Sequence, residues 1–587
     1  MFFSPSTVYR DAPIVFRVTR RCAKVFGTPQ RVLVARRADE VLGVLSEVER
    51  EAAAGRIAVG FVAYGAAPAF DSALVAHCDP AMPLAWFAIY TEAPQPEVLP
   101  PPGLAPELAW ESDIAAPAYR TALDRIRACI AAGDTYQVNF TFPMRAQFSG
   151  DTRALFGALA AAQPTDFGWF IDAGDVTILS FSPELFFRLD GNQIRCQPMK
   201  GTASRGLSFD DDERRACALQ QSGKERAENV MIVDMVRNDL GRIAEIGSVR
   251  VASLFDTQRL DTCWQMTSTV DAITNAALPE IFSALFPSAS VTGAPKVRTM
   301  QIIRELESAP RGVYCGAIGT VGPGRRAEFS VAIRTVTIDR TEDEAVYHVG
   351  SGVTWDSAPH AEFEECHLKA AVLTHRRPDF ELIESLRWDK NYWLIEGHLH
   401  RLERSASYFG YAFDAAEICQ ALSGFANDLD APSKVRLMLS RDGRVNIDAN
   451  PLTVTPLWRV AVAPEPVDES DVFLYHKTTH RAVYDHAHAL CPGADDVILW
   501  NRRGELTEST RANLVLRFGD RWFTPPVPSG LLGGVFRAQL LSDGVLVERV
   551  LLLGDLDSAD EVRLINSVRG WIAIERMSQP HVLMEHS

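Results

Sequence analysis

Short apolar stretches alternate with segments of helical spacing along the N-terminal part of the chain. RVLVARR and GRIAVGFVAYG read as strands, and between them a helix is predicted from about Ala38 to Ala54. Tyr119, Leu123 and Ile126 then recur at helical intervals, and Gly133 stands where such a helix would end. Strands and helices alternate irregularly, which favours an α+β or mixed α/β class over a regular parallel array.

Two stretches predict boundaries between domains. The segment from Thr91 to Pro117 is rich in proline and includes Pro100, Pro101 and Pro102, so it should be an extended connector. A second break is predicted near 374–379, after which strands, a helix and turns begin afresh. We therefore expect an N-terminal extension over 1–110, a catalytic domain over 118–372 and a further domain over 380–587.

Composition excludes several classes of protein. The 587 residues are 47% hydrophobic and 23% charged, with a mean hydropathy of −0.03, which is unlike a disordered or fibrous chain. A net charge of −16 argues against binding nucleic acid through phosphate attraction. No apolar run approaches a membrane span, and MFFSPSTVYRDAP does not resemble a signal peptide. The ten scattered cysteines read as buried small hydrophobes in a reducing compartment, so we expect a soluble cytoplasmic protein.

Two pairs of carboxylates suggest a metal site. Glu225 and Glu228 lie three residues apart in one predicted helix, and Glu362 and Glu365 repeat that spacing in another. Four such groups could hold Mg²⁺, which prefers oxygen ligands and keeps several waters. By spacing alone, two solvated helix faces are the simpler explanation, because acidic pairs three residues apart are common on exposed helices.

Small residues and one arginine interrupt other apolar segments. The run from Thr292 through Gly293 to Lys296 precedes a predicted helix, whose N-terminus suits an anion. VGSGV at 349–353 follows a strand-like stretch and offers backbone N–H groups, although such triplets are often simple turns. Arg334 lies in the strand-like FSVAIRTVTI, either as a ligand group or as an edge residue in an ion pair.

The order of these motifs resembles that of chorismate-utilising enzymes, a family that includes anthranilate, aminodeoxychorismate and isochorismate synthases. The motifs include FSPELFF, QPMKGTASRG, KERAENVMIVDMVRNDLGR, SVTGAPK and VGSGVTWDSAPHAEFEECHLKA, and GDTYQVNFT also fits. The resemblance implies an α/β sandwich with a two-sheet core and flanking helices. It further implies Mg²⁺ on Glu228 and Glu365, supported by Glu225 and Glu362. The implied substrate-binding residues are Thr292, Gly293, Arg334, Gly350, Ser351, Gly352 and Lys369.

Lys200 decides the subfamily that the resemblance implies. Aminodeoxychorismate synthases resemble this chain in having lysine in a Pro-x-Lys-Gly-Thr motif, whereas anthranilate synthases have alanine there. A neutral lysine can add covalently to the substrate ring, and Glu184 resembles the acid that assists departure of the hydroxyl. Gln265 and Asn229 occupy positions where many relatives have histidine, so details of proton transfer need not carry over.

The last 200 residues contain a second set of chemical groups. Lys477 follows a strand-like stretch, Glu508 lies just before a strand, and glycine-containing turns occur at 528–537 and 565–570. A lysine, an acid and two phosphate-binding turns are what pyridoxal phosphate requires, although each alone is more simply a loop residue.

Together with HLHRLERSA, these groups resemble class IV aminotransferases, an α+β family that includes aminodeoxychorismate lyase. The resemblance implies that Lys477 forms the Schiff base and that Glu508 holds the pyridine nitrogen. It assigns phosphate binding to Arg401, Leu532, Gly533, Gly534 and Ser567, and substrate carboxylate binding to Arg481.

The fusion of the two resemblances predicts consecutive steps, from chorismate and ammonia through 4-amino-4-deoxychorismate to 4-aminobenzoate for folate. No cysteine has the setting of a glutaminase nucleophile, so ammonia would be free or come from a separate glutamine amidotransferase subunit. A homodimer through the C-terminal domain is also expected. The alternatives are an anthranilate or isochorismate synthase fused to a D-amino-acid or branched-chain transaminase, and a chain in which one half is only a binding module.

Overall fold

Strands of the computed structural model form four sheets within the described residues, which are 14–19, 22–100, 105–374, 378–453 and 457–577. The chain divides into two units, one of Met1–Arg205 with Ala216–Arg377 and one of Gly206–Arg215 with Pro378–Ser587. The opening segment, Pro101, Pro102 and 375–377 at the second predicted break lie outside the described residues.

The first unit is built on two antiparallel sheets, each of ten described strands. Their strands are β1 (Val15–Val18), β2 (Ala23–Phe26), β3 (Arg31–Ala35), β4 (Ile57–Val62), β5 (Ala85–Tyr90), β6 (Gln95–Glu97), β7 (Glu111–Ser112), β8 (Gln137–Gln147), β9 (Phe167–Asp172), β10 (Val176–Ser182), β11 (Leu185–Asp190), β12 (Gln193–Gln197), β13 (Met199–Ser204), β14 (Arg250–Arg259), β15 (Cys263–Ile273), β16 (Gly293–Ala294), β17 (Ala317–Gly322), β18 (Arg326–Val331), β19 (Thr335–Asp339) and β20 (Glu344–Val353). One sheet runs β16-β8-β20-β19-β10-β9-β1-β2-β6 and the other β13-β15-β12-β11-β18-β17-β4-β5-β3, with β7 on β8 and β14 on β15.

The two sheets pack face to face, because Val15 and Trp169 of one share a buried cluster with Phe61 and Trp86 of the other. Separate apolar clusters cover the outer faces with helices. Both faces of each sheet are therefore buried, which explains why β4 and β5 are apolar almost throughout. The α-helices between residues 38 and 370 are α1 (Ala38–Ala53), α2 (Ala116–Ala131), α3 (Thr152–Ala162), α4 (Phe209–Gln221), α5 (Gly223–Gly241), α6 (Leu278–Leu285), α7 (Lys296–Leu306) and α8 (Pro359–Ala370).

The second unit has two smaller sheets. A four-stranded antiparallel sheet runs β22-β21-β23-β24, and an eight-stranded mixed sheet runs β27-β26-β25-β32-β31-β28-β29-β30, with β27 also pairing with β28. The strands are β21 (Leu382–Asp389), β22 (Asn391–Tyr392), β23 (Ser433–Leu439), β24 (Val445–Pro451), β25 (Trp458–Val462), β26 (Asp496–Trp500), β27 (Leu506–Ser509), β28 (Asn513–Phe518), β29 (Arg521–Thr524), β30 (Leu546–Glu548), β31 (Glu561–Asn566) and β32 (Gly570–Arg576). The helices are α9 (Ile395–Phe409), α10 (Ala415–Ala426), α11 (Ala482–Ala489), α12 (Val535–Ser542) and α13 (Asp555–Ser558).

This architecture confirms the predicted α+β class with a two-sheet core, and the helices predicted at 38–54 and before Gly133 are α1 and α2. Among the described residues, no helix is long and apolar enough to cross a membrane. The prediction that the cysteines are buried is wrong for six of the ten, since Cys22, Cys78 and Cys217 are exposed and three more are half-buried.

Three local predictions need correction. The segment around Arg334 is not one strand but a crossover, with β18 in one sheet and β19 in the other, and Arg334 itself has a φ of 53°. VGSGV does not follow a strand but forms the end of β20. Lys477 follows a short 3-10 turn at Val472–Leu474 rather than a strand. For Arg334 and VGSGV, pairing partners that are distant in sequence determine where the strands end.

Candidate functional site

A cavity in the first unit gathers the predicted acidic residues. Glu225 and Glu228 of α5 and Glu362 and Glu365 of α8 all line it, so two helices far apart in sequence bring both pairs together. Burial, aided by the neighbouring carboxylates, raises the pKa of Glu225 and of Glu228 above the usual range. The explanation by two solvated helix faces is therefore wrong.

The charges around this cavity suit a divalent cation. Five carboxylates, including Glu184, face four cations, so a dianionic substrate alone would enter a negative site. Within the described ranges, no three His, Cys, Asp or Glu side chains form a complete metal site of their own. Hard carboxylate oxygens with open positions fit Mg²⁺, which takes further ligands from water and substrate. The cations are Lys200, Lys224, Arg334 and Lys369.

Lys200 lines the same cavity from β13. Burial lowers the pKa of its amine, Lys369 adds to that effect, and Glu228 opposes it. Asn229 Nδ2 donates to the Lys200 carbonyl at 3.2 Å, while its Oδ1 accepts from Ser268 Oγ at 2.5 Å. The side chain of Asn229 thus holds the backbone of Lys200 in place through a hydrogen bond that involves no titratable group.

Glu184 is buried in the turn between β10 and β11 and faces the cavity. Burial raises its pKa to about 7, although Ser290 Oγ donates to Oε1 at 2.5 Å and Lys200 is near enough to oppose the shift. A carboxyl group with this pKa is protonated in a large fraction of molecules near neutral pH, as a general acid requires.

Lys369 and Arg334 line the cavity at the end of β20. Lys369 Nζ lies 2.7 Å from Glu365 Oε1 and donates to the Gly350 carbonyl at 3.0 Å. Burial lowers the pKa of Lys369, but Glu365 outweighs it and the net shift is upward. Arg334 Nη1 donates to the Lys369 carbonyl at 3.1 Å. These contacts hold two cations where a carboxylate could bind.

The end of β20 leaves one backbone edge open. The strand pairs with β8 along Glu344–Val353, whereas β19 accompanies it only as far as Tyr347. The backbone at Gly350 and Gly352 lines the cavity. A Cβ on Gly352 would lie 2.2 Å from Lys200 Nζ, so the absence of a side chain there makes room for the amine.

Three predicted substrate-binding residues do not line this cavity. Thr292 Oγ1 donates to the Ser288 carbonyl at 2.9 Å. Gly293 has a φ of 146°, and a Cβ there would lie 2.0 Å from the Gln137 carbonyl, so strand pairing requires it. Ser351 Oγ is hydrogen-bonded to Tyr119 Oη at 2.9 Å. Their roles in binding remain predictions.

Sequence reasoning missed Gln137 and His348. Gln137 is fully buried in β8, and neither its Nε2 nor its Oε1 has a hydrogen-bond partner. Its Nε2 lies 2.7 Å from the position of a Cβ on Gly352, and therefore close to the Lys200 amine. His348 lines the cavity, and burial lowers its pKa to about 3, so it is neutral. Gln137 opens the alternating run Gln-Val-Asn-Phe-Thr-Phe, which resembles a half-exposed strand and contains no signal for a buried amide.

The second unit contains a separate cavity of about 320 Å³ lined by Lys477 and Glu508. Burial lowers the pKa of Lys477 to about 7, assisted by Arg401 and Arg481 and opposed by Glu384 and Glu508. A neutral amine is the form that condenses with an aldehyde.

Glu508 is fixed by three donors at the edge of β27. Burial raises its pKa to about 7, while Tyr484 Oη at 2.9 Å and the Leu532 amide at 3.1 Å stabilise the carboxylate. Asn513 Nδ2 lies 3.3 Å away. A buried, rigidly held acid is suited to pairing with a pyridine nitrogen, so the donor set fits pyridoxal phosphate.

Four of the five predicted phosphate-binding residues line the same cavity, but they differ in whether they are free to bind a ligand. Arg401 is paired with Glu384, which His398 also contacts, and despite burial these partners hold the pKa of Glu384 at about 2. The Leu532 amide already donates to Glu508. Gly534 precedes α12, whose N-terminal amides are directed outward from the helix, and Ser567 lies in the turn before β32. Gly533 lines a neighbouring cavity, and its carbonyl accepts from Arg401 at 3.4 Å.

Sequence reasoning also missed four cations in this cavity. Arg481, predicted to bind a carboxylate, lines it and donates to the Thr510 carbonyl. The missed residues are Lys434, Arg436, Arg511 and Arg569. Lys434 and Arg436 alternate with buried Val435 and Leu437 on β23, a pattern that resembles an ordinary solvated strand face.

Family models match both parts of the chain. The model for chorismate binding enzymes matches residues 21–375, and that for class IV amino-transferases matches residues 381–577. These ranges contain all the residues of the first and second cavities, respectively.

Curated relatives and a solved structure resemble the first part. Aminodeoxychorismate synthase component 1 of Salmonella typhimurium is 38% identical over 269 residues, which are 46% of this chain and 59% of that protein. Anthranilate synthase component 1 1 of Haloarcula marismortui is 36% identical over 282 residues, which are 48% of this chain and 57% of that protein. The chain thus spans under two thirds of each. Anthranilate synthase component I of Streptococcus pneumoniae shares the fold, with a TM-score of 0.51 at 23% identity over 64% of this chain and 94% of that one.

Proposed function

The chain belongs to the chorismate binding enzyme family and carries a class IV amino-transferase region, and from this we propose that it makes 4-aminobenzoate from chorismate. The first unit would aminate chorismate to 4-amino-4-deoxychorismate. The second would eliminate pyruvate from that product and leave the aromatic ring. The observation that carries the proposal is a lysine with a lowered pKa in each of two separate cavities.

In the first step, the neutral amine of Lys200 attacks the substrate ring and the C4 hydroxyl leaves as the new C–N bond forms. Glu184 donates a proton to the departing oxygen, so that water is released rather than hydroxide. Ammonia then forms its own bond at C4 and the lysine amine is expelled, which regenerates Lys200. Arg334 and Lys369 would bind a carboxylate throughout, because their charges are held at the open end of β20.

Glu225, Glu228, Glu362 and Glu365 would hold Mg²⁺ in the first unit. When bound, the ion supplies positive charge that neutralises a substrate carboxylate and orients it. We expect EDTA to abolish formation of 4-amino-4-deoxychorismate and added Mg²⁺ to restore it. Calorimetric titration with Mg²⁺ should give binding that Glu228→Gln weakens at least about tenfold. Undiminished activity after exhaustive chelation would contradict the metal site.

Lys477 and Glu508 would hold pyridoxal phosphate in the second unit, with Arg401 and Ser567 near its phosphate. When bound, the cofactor would withdraw electrons from the substrate carbon that bears the amino group. Lys477 then carries protons while pyruvate leaves, and Glu508 maintains the charge at the pyridine nitrogen. Glu508 is only 4% exposed, so water has little access to its carboxylate.

Ammonia would come from a separate glutamine amidotransferase subunit or from solution. The Salmonella relative is named component 1, which is consistent with a partner for that protein. Pull-down and glutamine-dependent activity with a candidate subunit would test this part.

A product assay tests the whole proposal. Purified protein is incubated with chorismate, Mg²⁺, pyridoxal phosphate and excess ammonium, and products are identified by mass spectrometry. We expect 4-aminobenzoate and pyruvate in equal amounts. Accumulation of 4-amino-4-deoxychorismate alone would refute the lyase part, and anthranilate or isochorismate would refute the assignment based on Lys200.

The first step should depend on pH through Glu184. Its pKa of about 7 means that the proton needed by the leaving hydroxyl is lost as pH rises through this value. With ammonia held constant, we expect kcat for 4-amino-4-deoxychorismate formation to fall about tenfold per pH unit above the apparent pKa. Glu184→Gln should lower kcat at least about 10²-fold and remove that limb of the profile. If kcat of Glu184→Gln fell with rising pH just as in the wild type, the titrating group would be one other than Glu184.

Two glycine substitutions should separate activity from stability. In Gly352→Ala, the new Cβ displaces the mobile end of Lys200, so we expect kcat to fall about 10²-fold with little change in Tm. In Gly350→Ala, the new Cβ would lie 2.4 Å from the Phe140 carbonyl, and the rigid backbone should make the protein less stable. Thermal unfolding and 4-amino-4-deoxychorismate formation are measured on both. Equal losses of Tm would contradict the assigned role of Gly352.

A further inference from the structure

The cavity of the second unit carries more positive charge than its cofactor alone would need. Lys434 and Arg436 reach it from β23, Arg511 from the turn between β27 and β28, and Arg569 from the turn between β31 and β32. Four cations from three separate places in the chain thus line one space. We call these four residues the cationic cluster.

None of the four side chains forms an ion pair with another described residue. Nε of Arg436 and Nε of Arg569 are both buried without a hydrogen-bond partner. The planar group of Arg569 instead packs on the Trp458 ring, 5.5 Å from its centroid. Buried guanidinium N–H groups that lack acceptors are costly, and an incoming anion would satisfy them.

The members of the cluster also repel one another. Burial lowers the pKa of Lys434, and Arg569, Arg436 and Arg511 lower it further, while Asp448 alone opposes them among its main neighbours. Burial and Arg511 likewise lower the pKa of Arg569. Such an arrangement is unfavourable in the empty protein and becomes favourable when a negative ligand lies among the charges.

Existing acids do not compensate for this charge. Glu508 is the one carboxylate among the described residues that line the cavity, and Tyr484 and the Leu532 amide already bind it. Arg401, the arginine expected at the phosphate, has Glu384 as its partner and does not belong to the cluster. A phosphate dianion alone would leave much of the positive charge without a counter-ion.

We propose that the cationic cluster binds a carboxylate of the substrate in addition to the one assigned to Arg481, so that this cavity selects dicarboxylates over ordinary amino acids. The inference rests on the proposed function, because 4-amino-4-deoxychorismate carries two carboxylates whereas a branched-chain amino acid carries one. The cationic cluster would then be the feature that distinguishes a lyase acting on 4-amino-4-deoxychorismate from a general transaminase.

Binding of simple probes tests the inference without turnover. Isophthalate, with two carboxylates, and benzoate, with one, are titrated calorimetrically into the full-length holoenzyme at low salt. We expect isophthalate to bind at least about tenfold more tightly, and the preference to shrink as salt is added. Equal affinities would overturn the inference, whereas failure of the wild type to release 4-aminobenzoate from supplied 4-amino-4-deoxychorismate would refute the lyase function alone.

Substitutions then locate the effect. Arg436→Gln and Arg569→Gln should each weaken isophthalate binding and raise KM for 4-amino-4-deoxychorismate about 10- to 100-fold, with benzoate binding almost unchanged. Arg444→Gln is the matched control, because Arg444 is 82% exposed and pairs with Asp442 on the surface. Arg436→Lys should recover part of the affinity, which distinguishes a charge contact from a folding defect.

A cofactor titration distinguishes this proposal from the explanation that the cationic cluster binds the cofactor phosphate. If the cluster instead held the cofactor phosphate, both glutamine variants would raise the Kd for pyridoxal phosphate, measured by its absorbance, as strongly as they raise KM. That result would overturn the inference. Unchanged cofactor affinity together with lost isophthalate preference would support it.

Discussion

Replacing Lys200 with alanine should lower the rate of 4-amino-4-deoxychorismate formation by at least about 10³-fold, or redirect the first unit toward anthranilate. The side chain lies in a cavity where burial lowers the pKa of its amine, whereas Lys369 in the same cavity is paired with Glu365, which raises its pKa. Products are separated by chromatography and identified by mass spectrometry, with chorismate, Mg²⁺ and excess ammonium supplied.

Lys200→Arg is the informative control for this result. Arginine preserves the positive charge but stays protonated, so it cannot act as a neutral nucleophile. We expect it to be as inactive as Lys200→Ala if the amine attacks, and largely active if only the charge matters. Both variants should retain their Tm and the turnover of supplied 4-amino-4-deoxychorismate. Normal 4-aminobenzoate output from Lys200→Ala would refute the nucleophilic role.

Replacing Lys477 with alanine should abolish release of 4-aminobenzoate, by about 10³-fold or more, while 4-amino-4-deoxychorismate accumulates at the wild-type rate. Lys477 is the lysine whose pKa burial lowers to about 7 beside Glu508, and it is both the expected anchor of the cofactor and the carrier of protons. The variant should also lack the absorbance of a lysine-bound cofactor near ~410–420 nm.

Mixing the two alanine variants provides the reciprocal control. Lys200→Ala retains the second cavity and Lys477→Ala retains the first, so together they should make 4-aminobenzoate after a lag. The lag shortens as protein concentration rises if the intermediate passes through solution. Release of 4-aminobenzoate by Lys477→Ala alone would contradict the assignment of the second unit.

Some features follow directly from the order of residues. The spacing at Ala38–Ala53 and Ala116–Ala131 predicts both helices, because helical periodicity is a local property that survives in the folded chain. The motifs around Lys200 and Lys477 indicated both kinds of chemistry. The i, i+3 spacing of Glu225 and Glu228 showed that they share a helix face, but spacing within one helix cannot reveal what that face meets.

Tertiary structure decided which of these groups act together. α5 and α8 are far apart in sequence, and only the fold brings their two acidic pairs to the same cavity. The crossover at Arg334 depends on strand pairing over long sequence distances, so local propensity misassigned that segment as one strand. Gln137 could not be identified as an unpartnered amide without the packing around it.

The sequence by itself therefore predicted the class of fold, the resemblance to two families and the importance of Lys200 and Lys477. Each of these depends on residue type and local spacing. The shifted pKa values of Glu184, Lys200 and Lys477, and the cationic cluster, were decided only by the folded structure. Burial and the distance between charges set these properties, and both arise when segments far apart in the chain enclose the same space.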